Sequence, residues 1–259
     1  MHLTPQIETA QFRSEGGIEV PSLTADQMRE VDRIAVHETG PNLFQMMENA
    51  GRNLALFAIE VLGHGWKDAT ILVMAGGGGN GGGATCAARH LANRDLDVRL
   101  CLSDPRHLNE VAQWQRRTFQ FAGGVEVAPV ELSREHPAII IDGLIGYGLT
   151  SSPSAQVRQM IQWANDSGAP ILALDVPSGL DATTGEARGA MIYPKWTMTL
   201  ALPKTGLARA VTGDLYLADI GIPREVYRRM NLHYQSPFGR QYWVRLEKVP
   251  AGPPQSGAN

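Results

Sequence analysis

Four consecutive glycines open a run that reads Gly76-Gly77-Gly78-Gly79-Asn80-Gly81-Gly82-Gly83-Ala84 and follows directly on the apolar stretch Ile71-Leu-Val-Met-Ala75. A backbone without Cβ atoms turns tightly and can bring its N–H groups against an anion at a helix N-terminus. The Gly-x-Gly-x-x-Gly spacing occurs twice, from Gly76 and from Gly77. So glycine-rich a stretch gives that match cheaply, and its position between a strand and a helix is the better sign of a nucleotide or other phosphate-bearing ligand. A turn without a ligand is the alternative. No Gly-Lys-[Ser/Thr] closes the run, which argues against a P-loop nucleoside triphosphatase. Lys204-Thr205-Gly206 has the form of a β-lactamase element, but the chain has no Ser-x-x-Lys to accompany it.

Two further apolar runs end in aspartate. Ala138-Ile-Ile-Ile-Asp142 leads into Gly143-Leu-Ile-Gly146-Tyr-Gly148, and Ile171-Leu-Ala-Leu-Asp175 leads into Val-Pro-Ser178-Gly179. Ligands of an open parallel sheet bind beyond the carboxyl ends of its strands, so the glycine run and both carboxylates fall on one edge. Capping the next turn is the ordinary use of Asp in such a place; two of them beside a glycine loop point to a site. Asn80, Asp142 and Ser178 offer oxygen donors and suit a hard cation rather than zinc or copper. His90 falls in the helix after the run, where an imidazole near the C-terminus interacts with the dipole. Cys86 reads as a small core residue of the same helix.

The elements that position these groups are visible in the pattern. Thr24-Ala-Asp-Gln27 is a capping box, with Met28, Val31, Ile34 and Ala35 at helical spacing behind it and Gly40-Pro41 as the stop. A second helix opens at Asn42 with Gln45 three residues on; Phe44, Met47, Gly51, Leu54, Ala58 and Val61 line one face. Beyond Gly65, short β-branched runs alternate with helix-period segments. Strands are expected at 71–75, 98–102, 125–130, 138–142 and 171–175, helices after the glycine run and over 107–121 and 155–167, and closing strands at 197–202 and 215–219. This alternation predicts an α/β fold, a mainly parallel sheet covered on both faces, as one domain over residues 22–249. Residues 1–21 read as a flexible arm and 250–259 as a disordered tail.

Composition narrows the function classes. The 259 residues carry 23 Lys+Arg against 26 Asp+Glu, a formal charge of −3. That balance gives no electrostatic footprint for nucleic acid and no polybasic membrane patch. Cys86 and Cys101 are too few for a disulfide framework or a Cys-based zinc centre and fit a reducing compartment. The N-terminus lacks the apolar core of a secretory signal, and no apolar run approaches the roughly 18 residues of a membrane span. A soluble, cytoplasmic protein is expected.

Four blocks carry a likeness beyond these patterns. They are Met28-Arg-Glu-Val-Asp32-Arg-Ile-Ala35 with Met46-Met-Glu48-Asn49-Ala-Gly51; Ala75–Leu91 with its Asn-Gly-Gly and Ala-Ala-Arg-His-Leu; Asp142–Leu149; and Leu174-Asp-Val-Pro-Ser-Gly-Leu-Asp-Ala-Thr-Thr-Gly185. With Asp219-Ile-Gly-Ile-Pro223, their order and spacing resemble the YjeF N-terminal-domain family, the NAD(P)H-hydrate epimerases. The resemblance implies a Rossmann-like three-layer αβα sandwich, often dimeric, that interconverts the R and S epimers of hydrated NADH and NADPH (NADHX and NADPHX) so that a separate dehydratase can repair them. It implies a potassium ion at Asn80, Asp142 and Ser178. It places substrate contacts on Gly79, Asn80, Gly81, Gly82 and Gly83, on Gly146, Tyr147, Gly148, Leu149, Thr150, Ser151 and Ser152, and on Asp175. The dehydratase domain fused to some relatives is not expected in the short stretch after Pro223. The family loop usually reads Gly-Pro-Gly-Asn-Asn-Gly-Gly-Asp-Gly; here Gly79 stands for the first Asn and Gly83 for the Asp, which takes a carboxylate out of the pocket. Asp104 and Asp181 are carboxylates from elsewhere that could replace it.

Such a hydrate carries a hydroxyl on a carbon bonded to the ring nitrogen. Expelling water to an iminium and readmitting it to the other face takes an acid for the hydroxyl and negative potential for the cation. Asp175 is the expected acid/base, with Asp142 acting through the bound ion. Two other readings stay open on the sequence. A ligand- or protein-binding member, such as the family's messenger-RNA decapping scaffold, fits the altered loop, while Asn80, Asp142, Asp175 and Ser178 speak for a catalyst. A nicotinamide dehydrogenase would use Asp104 as its ribose-binding acid, but no hydride-transfer site is recognisable.

Overall fold

The computed structural model describes residues 12–208 and 210–249. Side-chain capping fixes where the first helices begin. Thr24 Oγ1 accepts the Gln27 N–H at 3.2 Å and Gln27 Oε1 accepts the Thr24 N–H at 2.9 Å, at the head of α1, Ala25–Ile34. Asn42 and Gln45 repeat the exchange at 3.0 Å each way, and α2 follows over Leu43–Leu62. The other helices are α3 (Gly79–Ala92), α4 (Glu110–Phe121), α5 (Ala155–Asp166) and α6 (Arg224–Arg229). The strands are β1 (Phe12–Ser14), β2 (Glu19–Val20), β3 (Thr70–Ala75), β4 (Asp97–Leu102), β5 (Val125–Glu126), β6 (Ile139–Gly143), β7 (Ile171–Leu174), β8 (Trp196–Leu200), β9 (Asp214–Ala218) and β10 (Trp243–Lys248).

They form one sheet in the order β2-β1-β10-β9-β8-β7-β6-β3-β4-β5. Pairing is parallel from β9 to β5 and antiparallel among β9, β10, β1 and β2. Alternate strand residues point to opposite faces, and the core divides accordingly. Ile71, Val73 and Ala75 of β3 pack with Leu54 and Phe57 of α2, Leu91 of α3 and Phe119 of α4. Leu72 and Met74 turn the other way, onto Met160 and Ile161 of α5. On that second face α1 and α6 continue the layer, Met28, Val31 and Val226 covering Leu215 and Leu217 of β9. Each large side chain fully buried in this way contributes about 1.5–3 kcal/mol. The result is the expected three-layer αβα sandwich with a mainly parallel sheet.

Close packing and side-chain amides seat α2. A Cβ on Gly51 would lie 2.5 Å from Cys86 Cβ, so only glycine lets α2 approach α3 this closely. Asn53 Nδ2 donates to the Asp219 carbonyl at 2.8 Å and Asn49 Nδ2 to the Ile220 carbonyl at 3.2 Å, which joins two blocks far apart in sequence.

Several expectations change. The strand anticipated at 125–130 stops at Glu126, because Pro129 lacks the N–H a ladder needs and opens a 3₁₀ turn over Pro129–Arg134. The helix anticipated from 107 begins at Glu110, where Asn109 Oδ1 accepts the Ala112 N–H at 2.8 Å. Phe44, placed on the inner face of α2, is 40% exposed. Within the segment read as a flexible arm, residues 12–20 form a hairpin, with Phe12 and Val20 paired and buried. The first eleven residues and the tail 250–259 lie outside the described residues. Among those described, no helix is long and apolar enough to cross a membrane.

Candidate functional site

From β3 the chain winds outward through β4 to β5, then returns on the other side of β3 as β6. Such a reversal leaves a crevice beyond the carboxyl ends of the two strands, and here it opens into a cavity of about 440 Å³. The first turn of α3 and Gly83, the loop Leu144–Gly148, Leu174 and Asp175 line one side; α1 and α2 contribute Asp32, Met46 and Met47, and Lys204 comes from the loop after β8. Gly78 caps α3 without a side chain, so the first-turn N–H groups are left for an anionic ligand.

Asp175 is held in the left-handed region at φ +68°, which Asp and Asn enter more readily than other residues bearing a Cβ. Its own N–H is pinned to the Met198 carbonyl at 2.7 Å. Oδ1 forms an ion pair with Lys204 Nζ and accepts the Leu200 N–H at 3.3 Å; Oδ2 accepts the Tyr147 N–H at 3.3 Å. Lys204 is only 1% exposed, and its Nζ also donates to the Leu200 carbonyl at 3.0 Å. A buried ion pair persists where its remaining hydrogen-bonding capacity is met in this way. In the sequence Lys204 stands out only as part of a Lys-Thr-Gly triplet.

Asp32 is likewise no more than one letter of a sequence block. Tyr147 O–H donates to Asp32 Oδ2, and burial pushes the Asp32 carboxyl above the usual carboxylate range, the Tyr147 hydrogen bond and the Lys204 charge working against that rise. The Tyr147 hydroxyl is itself pushed up, first by burial and then by the Asp32 charge.

Asp142 and Ser178 are fully buried and do not line the cavity. Asp142 Oδ1 accepts the Ser178 hydroxyl at 2.6 Å and the Leu144 N–H at 3.2 Å, and Oδ2 accepts the Ser178 N–H at 2.9 Å. These donors are uncharged, and burial pushes the carboxyl up to about 6. Asn80 Nδ2 donates to the Leu174 carbonyl at 3.2 Å, which aims its Oδ1 at the loop after β6; a Cβ on Gly146 would lie 3.3 Å from that oxygen. Ser178 Oγ accepts the Ile145 N–H of the same loop at 2.8 Å. All three residues therefore surround one loop, and a buried carboxylate with neutral oxygen neighbours fits a hard cation.

The remaining expected contacts divide. Gly79, Asn80, Gly81, Gly83, Gly146, Tyr147, Gly148 and Asp175 line the cavity; Gly82, Leu149, Thr150, Ser151 and Ser152 do not. Neither Asp104 nor Asp181 reaches it. Asp104 engages Arg106 and His107 at 3.2 Å and 2.8 Å, and Asp181 engages Arg188 at 2.5 Å.

Glu48, Cys86 and His90 form a separate cluster of possible metal ligands between α2 and α3. Arg89 Nη2 sits among them, 2.6 Å from Glu48 Oε2, 3.4 Å from Cys86 Sγ and 3.3 Å from His90 Nε2. A guanidinium thus takes the place of a cation, and His90 serves to join two helices through Glu48 at 2.8 Å. Burial pushes the Cys86 and Cys101 thiols up to about 12 each, leaving little nucleophilic thiolate. Iodoacetamide is expected to leave both untouched in the native protein and to alkylate both after denaturation; mass spectrometry showing rapid native labelling of Cys86 would contradict this.

Comparisons with known proteins converge on one group. Residues 43–206 match the family described as YjeF-related protein N-terminus. A protein of Dehalogenimonas lykanthroporepellens named NAD(P)H-hydrate epimerase is 48% identical over 237 residues, 91% of this chain and 97% of that protein. A protein of Salinibacter ruber named bifunctional NAD(P)H-hydrate repair enzyme Nnr is 33% identical over 81% of this chain, which spans 42% of that protein. Among solved structures, yeast ynu0 aligns with a TM-score of 0.74 at 20% identity, over 89% of this chain and all of its own; that likeness is one of fold.

Proposed function

This chain belongs to the family of YjeF-related protein N-termini, and from that footing we propose that it is an NAD(P)H-hydrate epimerase, interconverting the R and S forms of NADHX and NADPHX. The observation that carries the reading is the cavity at the sheet reversal. It joins a glycine-rich helix N-terminus suited to phosphate with carboxyl groups suited to a hemiaminal carbon.

The nicotinamide end of the substrate enters between the apolar side chains of Met46, Met47 and Leu144, which exclude bulk water, while its phosphates approach the first turn of α3. Asp175, fixed by Lys204 and by the backbone of Tyr147 and Leu200, presents a carboxylate to the carbon bearing the hydroxyl. There it exchanges the proton of water entering or leaving that carbon. Its negative charge also favours the iminium formed between departure and return.

Asn80, Asp142 and Ser178 would hold a potassium ion, which when bound supplies positive charge to the buried Asp142 carboxylate and steadies the loop after β6. Replacing potassium by choline in the buffer is expected to lower Tm by a few degrees, and Asp142→Asn to remove that difference. The same Tm for the wild type in both buffers would remove potassium from the site.

The protein works as a homodimer in the cytoplasm beside a separate dehydratase. The family resemblance supports the dimer, two unpaired buried cysteines support the compartment, and the repair-enzyme relative supports the dehydratase. The near-neutral charge of the chain supports a role without nucleic acid or membrane. Epimerisation is tested by supplying purified S-form and following both epimers by chromatography. The R-form is expected to appear far faster than in buffer alone; equal rates would overturn the reading.

A further inference from the structure

Inverting one carbon by loss and return of water takes two proton transfers, one to the hydroxyl leaving one face and one from the water arriving at the other. Asp175 accounts for a single carboxyl group. Among the described residues, the other titratable side chains in the cavity wall are Arg29, Asp32, Tyr147 and Lys204. A guanidinium does not release its proton. The Lys204 ammonium donates to Asp175 and the Leu200 carbonyl and so holds Asp175 in place. The Tyr147 hydroxyl donates to Asp32 and keeps its proton, because burial and the Asp32 charge disfavour its ionisation. We infer that Asp32 is a second catalytic residue, the proton donor to the departing hydroxyl, paired across the cavity with Asp175 as proton acceptor.

Tyr147 positions the pair. Its O–H donates to Asp32 and its N–H donates to Asp175 at 3.3 Å, so one residue contacts both carboxyl groups. Two separated carboxyls around an acetal-like carbon are the arrangement that expels a group from one face and delivers water to the other. This assignment rests on the epimerase reading.

The step balances. The ring nitrogen lone pair forms N=C as the C–O bond breaks, and the Asp32 proton leaves with the hydroxyl as water. Water then adds to the opposite face; the C–O bond forms, the N=C pair returns to nitrogen, and the released proton goes to Asp175. Solvent at the cavity mouth restores both groups, and the reverse epimerisation exchanges their roles.

The surroundings of Asp32 favour a donor. Burial disfavours its charged form, Asp175 adds to that effect, and Lys204 and the Tyr147 hydrogen bond oppose it. The Asp32 charge also reaches buried Tyr227 of α6, and Arg29, on the same helix as Asp32, lines the cavity and acts on Tyr147.

Asp32→Asn keeps the shape and an acceptor for the Tyr147 hydroxyl. It is expected to lower kcat on the order of 10²–10⁴-fold with little change in KM, and to abolish the fall of kcat/KM at alkaline pH that ionisation of the donor causes. Tyr147→Phe removes a hydrogen bond that favours the Asp32 carboxylate, so the alkaline limb is expected to move to higher pH. It provides the test if Asp32→Asn does not fold. Wild-type kcat and pH profile in Asp32→Asn, or an unmoved limb in Tyr147→Phe, would overturn the assignment. Either result obtained beside an active wild type leaves the epimerase reading standing, whereas an inactive, folded wild type removes that reading itself.

Discussion

Asp175→Asn is expected to slow epimerisation on the order of 10²–10⁴-fold and also to weaken the fold. Asn has the volume of Asp and accepts the backbone at φ +68°, so neither packing nor strain changes much. What changes is charge. Lys204, 1% exposed, loses the carboxylate that pairs with it, and breaking one side of a buried ion pair costs about 3–5 kcal/mol. That is a large part of the roughly 5–15 kcal/mol that stabilises an ordinary domain. Asp175→Asn/Lys204→Met removes the stranded ammonium and is expected to recover most of the lost stability and none of the activity. Denaturant titration and initial rates on both variants separate the two effects. Near-wild-type turnover in the single variant would remove Asp175 from the chemistry, and a double variant no more stable than the single one would contradict the energetic role of the pair.

Gly81→Ala is expected to be the most damaging single methyl addition in the glycine run. A Cβ there would lie 1.8 Å from the Gly76 carbonyl oxygen and 2.5 Å from its carbon. Both are backbone atoms at the strand-to-helix turn, and no side-chain rotation relieves the clash. Overpacking of this kind costs about 1–3 kcal/mol, occasionally more, and the forced displacement falls where phosphates are expected to bind. Gly78→Ala is the contrast. Nothing lies within 4 Å of a Cβ at that position, and its φ of −95° is open to any residue. Thermal denaturation is expected to show a loss for Gly81→Ala several times that for Gly78→Ala, with KM raised mainly in the former; equal losses would show that the turn yields.

Local chemistry was legible in the sequence and distant pairing was not. Thr24 with Gln27 and Asn42 with Gln45 announce helix starts because each pair satisfies backbone groups three residues away. β3, β6 and β7 announce themselves because strands buried on both faces are continuous apolar runs. The strand ends then place the glycine run, Asp142 and Asp175 on one edge of the sheet. β10 escapes notice because only Val244 and Leu246 of its six residues are buried, and α6 because six residues are too few to display a helical period. Asp32 and Lys204 escape for a different reason. A lone Asp on an amphipathic helix and a lone Lys in a loop both resemble solvated residues. Lys204 is buried and Asp32 half-buried through partners far along the chain, Asp175 at 29 positions from Lys204 and Tyr147 at 115 positions from Asp32.

The resemblance to the YjeF N-terminal-domain family implies a carboxylate where Gly83 stands, while Asp32 and Asp175 remain in the same cavity. Whether these suffice is settled by one coupled assay. A mixture of R and S hydrates is incubated with an S-specific dehydratase, ATP and potassium, with and without this protein, and the return of NADH absorbance is followed. With the protein present, both epimers are expected to be consumed completely and well above the spontaneous rate. Consumption that stops at the S-form and then proceeds only at the spontaneous rate, with circular dichroism showing the protein folded, would contradict catalysis at this site.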